Sequence, residues 1–317
     1  MFFTISNVKW KIYKQLHIYY IMPKTSLARF TIQSSVKKID RPIISSWVLH
    51  ALKIILGDES IRQQILLHYH PELHKGNITK LKSVGNKQNH VKTFNAFIEP
   101  GKTREDKFEK IRIFLRTVIK LKGTVVFTAS NIQYDEDDVE THYQTFIVDN
   151  DAKKVYIIDP ANDRTVNKND AKYKKSKTIL VSGQGIYYAQ VAHEIIKTFF
   201  EQNTDYIVEL VQLSYPAQII ENDVFCQSWS LYILDQLLEN DAYKKSAVVK
   251  IPETQINKYD KILGFYKRII RNIPNLSEYL TAEYVGEIQD CVDCPQEALL
   301  NVDPVKFVLG MTKADMK

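Results

Sequence analysis

Apolar residues recur every three to four positions in five segments of the chain, which is the spacing of helices with one buried face. These segments are residues 36–75, 104–121, the stretch carrying Val191, Ile195, Ile196 and Phe199, 226–239 and 255–271. In the first segment, Gly57-Asp58-Glu59 separates one apolar cluster from the next. Beyond Pro274 the pattern predicts short helices and turns.

After residue 121 the period of the pattern changes, and β-branched runs indicate strands. The predicted strands are residues 123–129, 142–148, 155–158, 178–181 and 205–213. An acidic loop is expected over 131–140, and Asp149-Asn150-Asp151 is a turn signal that makes the second and third strands a hairpin. The order of helices, hairpin, helix, strand and helix predicts an α+β fold with a central mixed sheet.

The composition is that of a soluble globular protein. The chain has 317 residues, of which 44% are hydrophobic and 25% charged. This length allows two domains, or one domain with extensions. We expect three parts: an N-terminal helical and partly disordered extension (1–92), a core (93–275) and a C-terminal tail with short helices (276–317).

The first 22 residues are aromatic and basic, but Lys9, Lys11 and Lys14 interrupt them, so they make a poor signal peptide. Translation starting at Met1 and translation starting at Met22 both remain open.

Charge and cysteine usage narrow the class of protein. The net charge is +6, and Lys and Arg are spread along the chain, which favours a solvated surface over a nucleic-acid site. A weak nucleic-acid affinity is the second interpretation. Three cysteines do not form an extracellular disulfide framework and fit a reducing, intracellular setting. No run of about 18 apolar residues occurs, so we expect no membrane span.

Cys226 is the first candidate for chemistry. It opens a helical run in which Phe225, Trp229 and Tyr232 share one face, together with Ile233 and Leu237. Asn222 or Asp223 is a plausible N-cap, which would put Cys226 in the first turn. The unpaired N–H groups and the helix dipole favour a thiolate at that position.

A cysteine nucleophile needs a base and a group that orients the base. His142 begins the second predicted strand, and Asp159 follows the third. With the turn near residues 149–152, both residues fall at the open end of the hairpin, where Asp159 could hold the His142 imidazole in one tautomer.

The segments His142-Tyr143 to Asp159 and Phe225-Cys226-Gln227 resemble the adenovirus-type and SUMO-specific (Ulp-like) cysteine protease superfamily. The order His, Asp, Cys and the interval from His to Asp match that superfamily, whereas papain-like enzymes run Cys, His, Asn. The Phe-Cys-Gln-Ser-Trp-Ser stretch is also similar to the cysteine segment of proteins from large DNA viruses. The resemblance spans roughly residues 104–240. It implies His142 as general base, Asp159 as orienter and Cys226 as nucleophile on a helix packed against the hairpin.

The chain departs from the superfamily pattern at three positions. Tyr143 replaces the usual tryptophan, where it can still cover the imidazole, and Gln227 replaces the usual glycine. A side chain at 227 would either narrow the approach to the thiol or add an amide donor near the oxyanion. Gln218 is the favoured oxyanion glutamine, although it lies slightly farther from Cys226 than usual. Asn222 is its alternative, and Gln212 falls within a predicted strand.

The resemblance implies a thiol peptidase of a large DNA virus, located in the virion or the host cytoplasm. Its protein substrate would be a viral structural precursor (polyprotein) or a ubiquitin-like conjugate, and no cofactor is required. The alternative is a protease-like fold without activity that serves as a virion or host-interaction protein.

Two further groups have ligand-like spacing. His68, His70 and His74 do not match a helical metal motif and are expected to be surface histidines. Cys291 and Cys294 have redox or half-zinc spacing, but no partner pair is apparent, so reduced thiols are expected.

Overall fold

The computed structural model describes most of the chain from residue 39 onward. The described residues are 39–84, 104–134, 139–160, 196–202, 204–218, 225–245 and 248–316. The first 22 residues, the predicted strand at 178–181 and the candidate caps Asn222 and Asp223 lie outside them.

Five strands form one mixed sheet with the spatial order β1-β2-β3-β4-β5. The strands are β1 (Ile78–Val84), β2 (Thr124–Tyr134), β3 (Val139–Asp149), β4 (Lys154–Ile158) and β5 (Ile207–Leu210). The three middle strands are antiparallel neighbours, and each outer strand pairs in parallel with the strand beside it. The mixed sheet and the α+β class predicted from the sequence are confirmed.

The predicted hairpin is confirmed as β3 and β4. Thr145 lies opposite Ile158, and Asp149 lies opposite Lys154 at the turn. The acidic loop predicted over 131–140 is wrong in extent, because β2 and β3 continue through most of it and leave only residues 135–138 between them. The predicted strand at 205–213 is shortened to β5.

Eight helices of defined extent accompany the sheet in the described part of the chain. They are α1 (Arg41–Gly57), α2 (Glu59–Tyr69), α3 (Arg104–Val118), α4 (Cys226–Leu238), α5 (Gln255–Asn272), α6 (Leu276–Gln289) and, after a short helix Gln296–Leu300, α7 (Pro304–Gly310). Residues 196–202 are also helical. Asp58 ends α1 and caps α2 by accepting hydrogen bonds from Ser60 N and Ile61 N, which explains the break seen in the sequence.

Side chains of the sheet alternate between two hydrophobic clusters, because successive residues of a strand point to opposite faces. One face of the sheet contributes Val126, Ile147, Tyr156 and Ile158 to a large cluster that contains α4. The other face contributes Phe127, Phe146 and Ile157, among others, to a smaller cluster with α3 and residues 196–202. The sheet is therefore covered by helices on both faces.

The segment after Pro274 belongs to the larger cluster. The 14-residue helix α6 buries Leu276, Leu280, Tyr284 and Ile288 against it. Apolar residues from the N-terminal, central and C-terminal parts of the described chain therefore share one core, and the division at residues 92 and 275 stays a prediction. None of the helices in the described ranges has the length and apolar character that a membrane span requires.

Candidate active site

Cys226 is the first residue of α4. The N-cap is Phe225, without a side-chain cap, so the cap predicted at Asn222 or Asp223 is wrong. The first hydrogen bond of the helix runs from Trp229 N to Phe225 O at 2.8 Å. The N–H groups of the residues before Trp229 have no partner within the helix, and the positive end of the dipole lies beside the thiol.

Apolar packing fixes the start of α4. Phe225 and Trp229 are buried, as predicted, along with Tyr232, Ile233 and Leu237. The Phe225 ring meets the Tyr259 ring edge to face at 6.1 Å, and Lys53 Nζ lies 5.8 Å from the Phe225 ring centre. Cys226 itself is 6% exposed. The nucleophile candidate is therefore held on a rigid element.

The first turns of α4 dock on β3 beside the histidine candidate. Ser230 Oγ donates to Tyr143 O at 3.2 Å. Tyr143 directly follows His142, whose backbone lies in β3 opposite Asn131. Tyr143 is buried, and burial together with the negative charge of an ionised Cys226 raises the pKa of its phenol to about 12. The residue after His142 is thus within electrostatic reach of the thiol.

Asp159 lies just past the end of β4, at the same end of the hairpin as His142, as predicted. Its carboxylate Oδ2 accepts a hydrogen bond of 2.7 Å from Gln144 Nε2. Gln144 is fully buried, and its Oε1 has no partner among the described residues. Gln144 was not identified from the sequence, although the hairpin register, which places it opposite Asp159, could have indicated it.

The loop carrying Gln218 is tied to the residue that follows Asp159. Ala217 N and Gln218 N both donate to Pro160 O, at 3.0 and 2.9 Å. Gln212 is exposed and its carbonyl accepts from Val249 N, and Asn222 lies outside the described residues. The structure therefore brings Gln218, among the predicted glutamines, to the end of the hairpin where Asp159 lies.

The roles of the four predicted residues stay predictions. The backbones of His142, Asp159 and Gln218 and the start of α4 approach one end of the sheet. The described side-chain contacts there are those of Gln144 with Asp159 and of Tyr143 with its neighbours.

A small pocket with a mixed polar and apolar lining lies beside Gln227, the residue after Cys226, between α2, α4 and the sheet. Its volume is about 10 Å³, which is close to the space of one water molecule, and its polar lining includes Arg62, Tyr143, Gln227, Thr128 and Thr145. Arg62 is 7% exposed. Burial lowers its pKa, opposed by the negative charges available on Tyr143, Glu59 and Asp58. No local sequence signal marks Arg62, because its burial depends on packing against a distant strand.

Gln227 reaches into this pocket. Its amide hydrogen-bonds the Tyr143 phenol, and its Oε1 lies 3.1 Å from the point that a Cβ on Gly57 would occupy. Gln227, which stands where the superfamily usually has glycine, therefore fits because Gly57 at the end of α1 has no side chain.

The structure also describes the histidine group and the cysteine pair whose spacing in the sequence is ligand-like. His68 and His74 are exposed, but His70 is buried and its Nε2 lies 3.1 Å from Asp235 Oδ1, so the surface prediction is wrong for His70. Burial and the adjacent Cys291 thiol raise the pKa of Cys294 to about 12. Among the described residues, no group of three or more His, Cys, Asp or Glu side chains has the arrangement of a metal site.

Comparisons with known proteins give distant structural matches. No family model and no curated protein matches the chain. A crystal structure of the Legionella pneumophila effector protein RavZ matches with a TM-score of 0.30 and 10% identity, covering 74% of this chain and 75% of that one. The structure of RavZ in complex with human LC3B matches with a TM-score of 0.28 and 8% identity, covering 86% and 85%. Superpositions of this quality carry no functional assignment, so the proposal below depends on the residues of the chain itself.

Proposed function

We propose that the protein is a thiol peptidase in which Cys226 is the nucleophile, His142 the general base and Asp159 the group that orients His142. Gln218 and the backbone N–H of Cys226 would stabilise the oxyanion. The substrates proposed are viral structural precursors or ubiquitin-like conjugates.

The contact between α4 and β3 is the observation that carries this proposal. Ser230 of α4 is hydrogen-bonded to Tyr143, the neighbour of His142, and Cys226 lies one turn earlier on the same helix. The hydrogen bond from Gln144 to Asp159 gives further support, because it holds a carboxylate at the end of the hairpin that carries His142. These two contacts support the proposal, because they tie the start of α4 to β3 and the residue after β4 to the same strand.

The reaction would follow the usual course of thiol proteases. His142 takes the thiol proton, and the thiolate attacks the scissile carbonyl carbon. The C–N bond then breaks as His142 returns the proton to the leaving amine, which leaves a thioester on Cys226. A water molecule, deprotonated by His142, attacks the thioester and releases the acid and the free thiol.

Covalent labelling of the purified full-length chain tests the proposal. The probe is a peptide vinyl sulfone ending in Gly-Gly, since glycine beside the scissile bond is common in the superfamily that the chain resembles. We expect labelling of one residue, Cys226, that is abolished in Cys226→Ala and slowed on the order of 100-fold in His142→Ala.

The matched control is the double variant Cys291→Ala/Cys294→Ala, which removes the other two thiols and should label like the wild type. Labelling that persists in Cys226→Ala, or a wild type that never reacts, contradicts the peptidase proposal.

An inactive, protease-like interaction protein is the second candidate, and the burial of Cys226 favours it, because a thiol that is 6% exposed must become accessible before it can attack a peptide. The same labelling experiment separates the two. An unreactive Cys226 in a folded wild-type chain supports the interaction protein.

A further inference from the structure

Cys291 and Cys294 lie in one short segment between α6 and the helix that follows it. Cys291 N donates to Ile288 O at 3.2 Å, and Gln296 N donates to Cys294 O at 2.8 Å. The chain bends over residues 292–294. The backbone that carries the two cysteines is therefore hydrogen-bonded to the ends of both helices.

The Cys294 sulfur is turned back toward Cys291. Its Sγ lies 3.7 Å from Cys291 O and 3.8 Å from Ile288 O, and both cysteines pack against the larger hydrophobic cluster. A chain that turns back on itself brings the Cα atoms of residues i and i+3 within about 7 Å, and a disulfide spans about 4.4–6.8 Å. The bend thus gives the spacing that a disulfide between these residues requires.

The segment is at the surface, where a small molecule can reach it. Both thiols are free and partly exposed, and Val292 between them is 91% exposed. Two thiols at this spacing can hold a metal ion or form a disulfide. In the described ranges no third ligand joins them, so a disulfide is the chemistry that the pair completes by itself.

The two thiols have different roles. The carbonyl oxygens beside the Cys294 sulfur are acceptors, which favours a proton on that sulfur. Burial and a hydrogen bond to the Cys291 side chain raise the pKa of Cys294 to about 12, in agreement with this geometry. Cys291 is therefore the thiol that reacts first, with Cys294 beside it as the second.

We propose that Cys291 and Cys294 form a redox-active dithiol, which a small-molecule disulfide such as oxidised glutathione converts to an intramolecular disulfide. The reduced thiols expected from the sequence are the starting state. Cys226 takes no part, so the inference does not depend on the proposed peptidase.

The conversion is a pair of thiol–disulfide exchanges. The Cys291 thiolate attacks one sulfur of oxidised glutathione, whose S–S bond breaks, and one glutathione thiolate leaves. The mixed disulfide no longer holds the Cys294 proton, so the Cys294 sulfur loses it and attacks the Cys291 sulfur, which expels the second glutathione. The protein gives up two electrons and two protons, and one glutathione disulfide becomes two thiols.

The test is mass spectrometry of the peptide that carries both cysteines, after the full-length native chain has been incubated with oxidised glutathione. We expect the peptide to lose two hydrogen atoms, to retain no glutathione, and to return to its original mass with dithiothreitol. Cys226→Ala is the control, because it removes the remaining thiol of the chain and should give the same result.

Single variants assign the order of the two steps. Cys294→Ser should accumulate one glutathione on Cys291, because no second thiol expels it. Cys291→Ser should take up glutathione about tenfold more slowly, because the proton of Cys294 must first be removed.

The equilibrium constant separates the native geometry from the spacing alone, since an unfolded Cys-x-x-Cys segment also forms a disulfide. We expect the constant for oxidation by glutathione disulfide to be about tenfold larger in the native chain than in urea, because the bend already holds the thiols together. An equal or smaller native constant would overturn the proposal. So would two retained glutathione molecules, or a loss of hydrogen that disappears in Cys226→Ala.

Discussion

Gln144 donates a hydrogen bond of 2.7 Å to Asp159, and the two residues face each other across the β3–β4 hairpin. Gln144 is fully buried and Asp159 is half-buried, so the buried amide anchors one side of the carboxylate and orients it. In the proposed site, the glutamine would hold the acid that in turn holds His142.

Asp159→Asn separates the charge of this residue from its hydrogen bond. The asparagine can still accept from Gln144, so we expect the free energy of unfolding to change by less than about 1 kcal/mol. Vinyl sulfone labelling of Cys226 should fall on the order of 100-fold, because the negative charge that supports a protonated His142 is gone. Labelling at the wild-type rate would contradict the role of Asp159.

Gln144→Met makes the converse change. It removes the donor while leaving the carboxylate, and we expect a loss of about 2 kcal/mol in urea unfolding together with slower labelling. Gln63→Met is the control, because Gln63 Nε2 donates to Ile78 O at 2.9 Å on β1, which is separated from β3 by β2. It should lower stability without changing the labelling rate.

Asp235 is expected to give the fold an acid-sensitive component. Burial would raise the pKa of its carboxyl, but hydrogen bonds from His70 and Arg268 outweigh burial and lower it. A lowered pKa in the folded state means that this contribution to stability is present above the unfolded value, about 3.9, and is lost as the pH falls through the folded value. The wild type should therefore lose stability more steeply below about pH 5 than Asp235→Asn does.

At pH 7, Asp235→Asn should cost about 3 kcal/mol, since it leaves Arg268 and His70 without the buried carboxylate. Asp241→Asn is the control, because Asp241 is exposed and its ion pair with Lys244 lies at the surface. If the stability of the wild type and of Asp235→Asn falls equally steeply with decreasing pH, Asp235 is not the carboxyl whose lowered pKa makes the fold acid-sensitive.

The elements with strong periodicity were predictable from the sequence. Helix α5 has the predicted start and ends one residue later, and the β3–β4 hairpin follows the turn signal at Asp149. In these segments a single face is buried, so the local pattern and the tertiary packing agree. The thiol at the start of α4 was predicted for the same reason.

The remaining features depend on partners far away in the sequence. His70 is buried because its Nε2 pairs with Asp235, which lies 165 residues later in the sequence. The residues adjacent to His70 carry no signal of this burial. The strands β2 and β3 extend through an acidic, Asn-containing stretch that has little strand propensity, because each supplies the other with a pairing partner. The pocket around Arg62 and Tyr143 likewise exists only after α2 and the sheet have packed together.

Cys294 is expected to be unreactive in the native protein. Its pKa of about 12 leaves a thiolate fraction at pH 8 that is on the order of 1,000-fold below that of an unfolded cysteine. We expect iodoacetamide to modify Cys294 correspondingly more slowly in native than in urea-denatured protein, as measured on the Cys294 peptide. Equal rates in the two states would contradict the raised pKa of this half-buried thiol.

Gly57 and Gln227 should be energetically coupled. The effect of Gly57→Ala on the free energy of unfolding should change sign when Gln227 is replaced by alanine. In the wild-type background, Gly57→Ala puts a Cβ about 3.1 Å from Gln227 Oε1 and 3.4 Å from Nε2, so the amide must move and its bond to Tyr143 weakens. We expect a net loss of about 0.5–1 kcal/mol in urea unfolding, despite the better helix propensity of alanine.

In the Gln227→Ala background the obstructing amide is absent, and Gly57→Ala should instead stabilise the protein by about 0.5–1 kcal/mol, because alanine loses less backbone entropy at the end of α1. The coupling energy from the four unfolding curves measures the contact directly. If Gly57→Ala destabilises both backgrounds equally, the glycine is required by its own backbone and not by Gln227, and the amide is not held at Tyr143 by this contact.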